Sequence, residues 1–364
     1  MNRATTRQLP KVVSIGLALV LTAGVAWGQQ TKTEKLVLTL STRVQAMPFK
    51  MPAIPNMPNI PGLAGLGAPQ RSIGGLATYA DKAVEPIFVT VPADLKLAGN
   101  KLVLTVPKPT TLAPGGTPAG PGTPGQGGKF QVTSKLYWHP DTAEGPIENT
   151  AQIDTSQRGA RGRPAAPRIA QEAMGGDVEK MASGEESKLP ATVVGNGQYV
   201  LNTGGTAVLD GFLPAIKVTQ PESLQEVDLT QGIDVQWEPV TGAKGYILHA
   251  MGMTGQPGQA QGMTVIQWVS TLKEPPMRVR TGYEQETTIA DDLTNGILLP
   301  ATATSCKVPP GVFPAELGTF ILTVTAVGND FYSTADGITV RGKIRSEWTG
   351  MKMAGMPAMP GAGE

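Results

Sequence analysis

Proline is spaced through this chain so that long helices are excluded and any sheet is interrupted. Residues 47–69 carry Pro at 48, 52, 55, 58, 61 and 69. Each removes a backbone donor and fixes φ, so the segment suits neither a helix nor a sheet interior. Residues 113–128 hold seven Gly and four Pro, the composition of a linker or a long loop. Over 364 residues there are 45 Gly and 32 Pro, roughly a fifth of the chain where average usage gives about 12%. The chain is not a helical bundle. A hydrophobic share of 40% is enough for one or two ordinary cores joined by weaker segments. The single cysteine, Cys306, excludes an intrachain disulfide scaffold, and two histidines leave little material for a catalytic or metal-binding cluster.

The first 28 residues read as an address. Arg3, Arg7 and Lys11 precede an apolar run from Val12 to Trp27, and Ala26 and Gly28 place small residues before Gln29, the pattern of a cleaved secretory signal peptide. The run is shorter than the roughly 20 residues that span a bilayer, so no stable membrane insertion is expected after cleavage. No lipid-carrying Cys follows the site. Removing residues 1–28 takes three basic and no acidic groups from 30 Lys plus Arg and 29 Asp plus Glu, leaving a formal charge of −2. A near-neutral mature chain has no global pull toward nucleic acid, and none is expected as a partner.

Strand signals recur between the weak segments. Leu36, Leu38 and Leu40 alternate with Val37 and Thr39. Ile87–Val91 and Lys101–Val106 are predicted to form a hairpin, with Gly99-Asn100 at its turn, and Lys129–Trp138 and Gln198–Leu201 are further strands. Residues 29–214 are therefore expected to form a β-rich region, a single sandwich with low-complexity insertions at 47–69, 113–128 and 141–190. The alternative is a set of fragments that do not fold alone. A short helix is possible around Pro167–Met181.

From Ile216 the strands become dense and the turns short. Ile233, Val235 and Trp237 share one face of a strand, Tyr246, Leu248 and Ala250 share one face of the next, and Gly242–Gly245 is short enough to connect them. Phe320, Leu322, Val324 and Ala326 give a later core face, and Ile338, Val340 and Ile344 a last strand. Residues 216–345 resemble a fibronectin type III domain, an immunoglobulin-like β-sandwich, on three runs: Ile216–Pro221; Trp237, Pro239 and Tyr246; and Thr319–Val327. The resemblance implies that Trp237, Pro239 and Tyr246 pack into a shared core. The chain departs from the pattern at Phe320, where the family usually has Tyr, and in the long section Leu272–Thr302. The expected organisation is all-β, with a fibronectin type III-like domain at 215–347 and a disordered Met/Pro/Gly tail at 348–364.

Chemistry-bearing groups are few. His139 and His249 have no ligand spacing or acid partner and read as structural or surface residues. Asp291-Asp292 and Glu284-x-Glu286 read as a solvated acidic face, because no calcium-loop spacing surrounds them. Gly204-Gly205 lacks the strand-to-helix context of a phosphate cradle. Cys306 reads as a small core hydrophobe. Arg158, Arg161 and Arg163 form a basic loop without interleaved aromatics. Trp268 and Tyr137-Trp138 alternate within strands and are expected in the core rather than as sugar-stacking platforms. No catalytic, cofactor or metal residue is assigned, and no cofactor is expected. The resulting reading is a secreted, non-enzymatic binding or structural protein of the cell envelope or extracellular space, with a protein or glycan as the possible surface partner. A different function is suggested by Met351, Met353, Met356 and Met359, and by Met47, Met51 and Met57 in the first Pro-rich segment. Soft thioethers select Cu(I), so the alternative is a periplasmic Cu(I)-binding protein using the C-terminal cluster; low-complexity tails account for the same residues without a metal.

Overall fold

The computed structural model describes residues 36–46, 69–106, 129–154, 181–255 and 262–353, apart from 82, 84–85, 191, 281–282, 284–287 and 330. The leader at 1–28, the insertions 47–69 (save Pro69) and 113–128, the middle of 141–190 and the tail beyond 353 lie outside them.

Within these stretches the protein is all-β, with mixed sheets. In chain order the strands are β1 (Leu36–Ala46), β2 (Gln70–Tyr79), β3 (Ile87–Thr90), β4 (Lys101–Leu104), β5 (Lys129–Trp138), β6 (Glu144–Asp154), β7 (Met181–Leu189), β8 (Asn196–Leu201), β9 (Thr206–Asp210), β10 (Val218–Gln220), β11 (Ile233–Trp237), β12 (Gly245–Thr254), β13 (Met263–Val269), β14 (Leu299–Pro300), β15 (Ser305–Val308), β16 (Thr319–Val327), β17 (Phe331–Ala335) and β18 (Ile338–Met353). One large sheet runs β6-β5-β13-β12-β16-β18-β1-β2-β7, with β14 beside β12 and β17 beside β18. Two small sheets, β4-β3-β8-β9 and β10-β11-β15, accompany it.

The alternation read from the sequence decides which face of the large sheet is dry. Leu36, Leu38 and Leu40 on β1, Ile73 and Ala77 on β2, Phe320, Leu322, Val324 and Ala326 on β16, and Val340 and Ile344 on β18 are all buried in one cluster. The small sheets contribute the facing residues: Val89, Leu104, Tyr199 and Leu209 from one, and Val235, Trp237 and Val308 from the other. Close approach of the layers is visible at Gly342, where an added Cβ would stand 2.4 Å from the Leu209 side chain, and at Gly75, where it would meet Leu104 at 2.8 Å. Any larger residue there would require the Leu209 or Leu104 side chain to repack.

The expected hairpin is present. β3 pairs antiparallel with β4 from Ile87↔Leu104 to Thr90↔Lys101, and Gly99 and Asn100 take the left-handed conformation in its turn, with φ of 62° and 53°. The hydrophobic face Ile233, Val235 and Trp237 is also present, with relative exposures of 2%, 0% and 3%. Trp237 lies 5.2 Å from Tyr246, ring centre to ring centre. The Tyr246 hydroxyl accepts a bond from the Val240 amide at 2.9 Å, which fixes the corner between β11 and β12.

Other features differ from the sequence expectation. β1 pairs in parallel with β18, from Leu36↔Ile338 to Ala46↔Trp348, and β13 pairs in parallel with β5. Strands from both sides of residue 215 therefore share one sheet and one core. The stretch 141–190, read as low-complexity insertion, contributes β6 and β7, which close the two ends of the sheet. β6 is almost wholly exposed on both faces, so it carries no apolar alternation for a sequence pattern to register. The tail reading fails at its beginning, because β18 continues to Met353 and buries Trp348.

Candidate functional site

The second face of the large sheet carries a different residue set. β18 turns Val340, Ile344, Ser346 and Trp348 inward, so its alternate residues Arg341, Lys343, Arg345, Glu347 and Thr349 line the outer face. β1 runs alongside in parallel, setting Ser41 opposite Lys343 and Arg43 opposite Arg345. β16 adds Thr323 and Thr325 on the other flank. β2 adds Ser72 and Gly74, and β7 adds Ser183 and Glu185. Arg341 apart, these side chains line a cleft of about 880 Å³. Its lining is mostly hydroxyl and cation. Glu347 is held by Arg43, whose Nε donates to it at 2.8 Å.

One end of the cleft is walled by the long section Leu272–Thr302. Two short helices there, Met277–Arg280 and Ile289–Thr294, lay Val279, Tyr283, Ile289, Ile297 and Leu298 against Leu136, Ile247, Val269 and Val327 of the sheet. This second small core covers the outer face locally. Asp292, expected on a solvated acidic face, is instead 1% exposed. Its carboxylate accepts two bonds from the Arg278 guanidinium, one of them at 3.2 Å, and one from the Tyr283 hydroxyl at 2.6 Å. Glu284 and Glu286 lie outside the described residues. Burial, reinforced by the bond to Asp292, raises the Tyr283 phenol above its ordinary range. The Arg345 guanidinium lies over the Tyr283 ring at 5.3 Å from its centre, joining the wall to the cationic row.

His249 reaches the cleft from β12 and is part of its wall. Its Nε2 lies 2.6 Å from the Val279 carbonyl, an acceptor, so Nε2 carries the proton and donates it. Burial, with the nearby Arg345 charge also acting against protonation and the carbonyl bond favouring it, lowers its pKa to about 4. The ring is a neutral anchor for the Met277–Arg280 helix. His139 sits elsewhere: its Nδ1 accepts from the Asp141 and Thr142 amides at 3.3 and 3.4 Å, and its carbonyl accepts from the Trp268 indole at 3.1 Å. Both rings are hydrogen-bonded into the fold, His249 in the cleft wall and His139 away from it. Trp268 is fully buried, and Trp138 Nε1 donates to Glu144 at 2.9 Å across the β5–β6 hairpin.

A smaller cleft of about 350 Å³ lies beside Asp141, Asp234 and Cys306. Burial, assisted by the Asp141 charge, pushes the Cys306 thiol up to about 12. It is a core residue on β15 opposite Val235, held as a thiol rather than a nucleophilic thiolate. Gly204 and Gly205 form the tight connection between β8 and β9 with φ of 109° and 92°. The Arg158–Arg163 run lies outside the described residues.

Sequence reasoning did not single out Arg43, Lys343 and Arg345. The signal that locates two of them is the alternation Arg341-Gly-Lys343-Ile-Arg345, which puts three cations on one face of a strand. Arg43 joins them only through the parallel pairing of β1 with β18. The chain matches no protein-family model, and no curated protein is similar to it.

Proposed function

We propose that this is a secreted, non-catalytic binding protein, and that its ligand surface is the outer-face cleft of the large sheet, suited to an extended acidic glycan. The single observation that carries the reading is the pair Lys343 and Arg345 lining the cleft along β18, with Arg341 next on the same face of the strand, Arg43 beside them and Ser and Thr hydroxyls on the flanking strands. Alternate residues of a strand repeat about every 6.6 to 6.8 Å, a spacing that presents charges at regular intervals to a linear polyanion. Hydroxyls on either side are suited to bonds with sugar hydroxyls. Carboxylates are fewer than cations in the cleft, and the largest of the neighbouring titratable rings, His249 and Tyr283, are committed to holding the wall.

The C-terminal half is read, within this proposal, as a fibronectin type III-like unit elaborated by extra strands. What supports this is the three-stranded sheet β10-β11-β15 packing Trp237 against Tyr246 of the β13-β12-β16-β18 portion of the large sheet. Secretion rests on the leader-like segment at 1–28. Among the described residues no helix is long and apolar enough to cross a membrane.

The test is calorimetric titration of the protein beginning at Gln29 with a uronic-acid polysaccharide and with a neutral glucan of similar length. Binding of the acidic chain alone is expected, weakening as salt rises through the screening range. Lys343→Glu, which reverses a charge in the middle of the row, is expected to weaken it by roughly tenfold or more, equivalent to about 1.4 kcal/mol. Equal binding of the neutral chain, or an unchanged affinity in the variant, refutes the proposal.

A further inference from the structure

The methionines that the sequence placed in a C-terminal run are joined, in the folded protein, by others far away in the chain. β12, β16 and β18 are neighbours, and their registers align Met251 with Ile321 and Met351, and Met253 with Thr319 and Met353. The inward face of β12 is set by Tyr246, Leu248 and Ala250, and that of β18 by Ile344, Ser346 and Trp348. By alternation all four methionines therefore stand on the outer face. Met263 of β13 shares that face, one step diagonal from Met253. All five are part-exposed. Beyond Glu347 and Thr349 the outer face of β18 thus changes from a cationic row to a thioether patch, and the two lie at opposite ends of one strand.

This placement is unusual chemistry for an open sheet face. Part-exposed positions on a strand are commonly filled by Thr, Lys, Glu or β-branched residues, and Thr319 and Thr323 of the intervening strand follow that habit. Met251 and Met351, and Met253 and Met353, are separated by one intervening strand, so their Cα atoms are about 9.6 Å apart, twice the strand spacing. Met253 and Met353 can lean toward each other over the short Thr319 and share one ion, while Met251 and Met351 flank Ile321 one step along the same strands and reach the ion diagonally; polarisable sulfur favours a monovalent soft cation. Among the described residues there is no cluster of His, Cys, Asp and Glu to offer a rival site.

We propose that the outer face of β12, β16 and β18 binds Cu(I) through Met251, Met253, Met351 and Met353. The site is built by the sheet from two strands some hundred residues apart in sequence, and it does not depend on the glycan reading. The ion is held as Cu(I) throughout, with no redox step.

The experiment titrates the protein beginning at Gln29, under ascorbate, against the Cu(I)–bicinchoninate complex and follows loss of the chelate colour. The native protein is expected to withdraw Cu(I), and X-ray absorption of the loaded protein to report sulfur neighbours. Replacing Met251, Met253, Met351 and Met353 together by Leu keeps volume and apolarity, and is expected to weaken Cu(I) binding at least about tenfold, a change of about 1.4 kcal/mol, with an unchanged circular dichroism spectrum. The variant Met356→Leu/Met359→Leu alters the run that follows Met353 in the sequence and is expected to bind as the native protein does. Failure of the native protein to compete, retention of full affinity by the four-Leu variant, or loss confined to the Met356/Met359 variant each overturns the proposal. If the four-Leu variant does not fold, the pair Met253→Leu and Met353→Leu made singly gives the same decision, since each is expected to weaken binding and neither to do so if the site lies elsewhere.

Discussion

Replacing Asp292 by Ala should cost far more than the loss of one surface carboxylate. The side chains of Asp292 and Arg278 are 1% and 10% exposed, and the two are joined by paired bonds. Truncation removes an acceptor of two bonds from Arg278 and the acceptor of the Tyr283 hydroxyl at once. Breaking a buried ion pair by removing one partner destabilises by about 3 to 5 kcal/mol, while an exposed pair such as Lys217–Glu238, with side chains 70% and 53% exposed, contributes about 0 to 1 kcal/mol. The comparison that isolates the mechanism is the double variant Arg278→Met/Asp292→Leu, which removes both charges and fills the space. It should lie within about 2 kcal/mol of the native protein, because the desolvation of two ions is removed with their attraction. Urea unfolding followed by tryptophan fluorescence measures these proteins and the single variants Arg278→Met and Asp292→Leu, and the cycle those singles close with the native and double variant should give a coupling of at least about 2 kcal/mol. A loss below about 1 kcal/mol for Asp292→Ala would mean that solvent reaches the pair and that the wall over the outer face is not a core. The same variant should lower the Tyr283 phenol toward its ordinary range, since Asp292 is one cause of its rise, and ultraviolet titration reads that directly.

Trp237→Ala should destabilise the protein by about 3 to 5 kcal/mol, as for other large core truncations. Its indole N–H is buried without a hydrogen-bond partner among the described residues, so Trp237→Phe should cost much less, about 1.5 kcal/mol or below; urea melts distinguish the two, and equal losses would show that the N–H is bonded. His249 sets an acid limit. Its folded pKa of about 4 lies below the ordinary 6.5, so the unfolded chain takes up the proton first. Its contribution is complete above pH 6.5 and is lost as pH falls toward 4, about 3 kcal/mol in all. His249→Gln keeps a donor for Val279 and should flatten that part of the stability curve; an unchanged slope would mean that the ring is solvated in the folded protein.

What local pattern determined is the set of strands with one wet and one dry face. The runs Ile233–Trp237 and Thr319–Val327 announce themselves because alternate side chains point to opposite sides, and the 87–104 hairpin because Gly99 and Asn100 supply its left-handed turn. Trp268, Trp237 and Cys306 are legible as core residues for the same reason. Three things lay beyond it. β6, almost wholly exposed, has no dry face and hence no pattern. The section Leu272–Thr302 buries Asp292 only because Arg278 and Tyr283 fold back to meet it, a pairing that composition does not encode. Above all, the pairing of β1 with β18 joins Leu36 to Ile338. A parallel pair needs a long crossover, and its partner is chosen by shape and burial across the whole chain rather than by any neighbour in sequence. That pairing places Arg43 beside Arg345, and the neighbouring register of β12, β16 and β18 places Met253 level with Met353. Residue types were fixed by the sequence; which of them share a surface was decided by tertiary structure, because sheets bring residues together in a direction perpendicular to the chain.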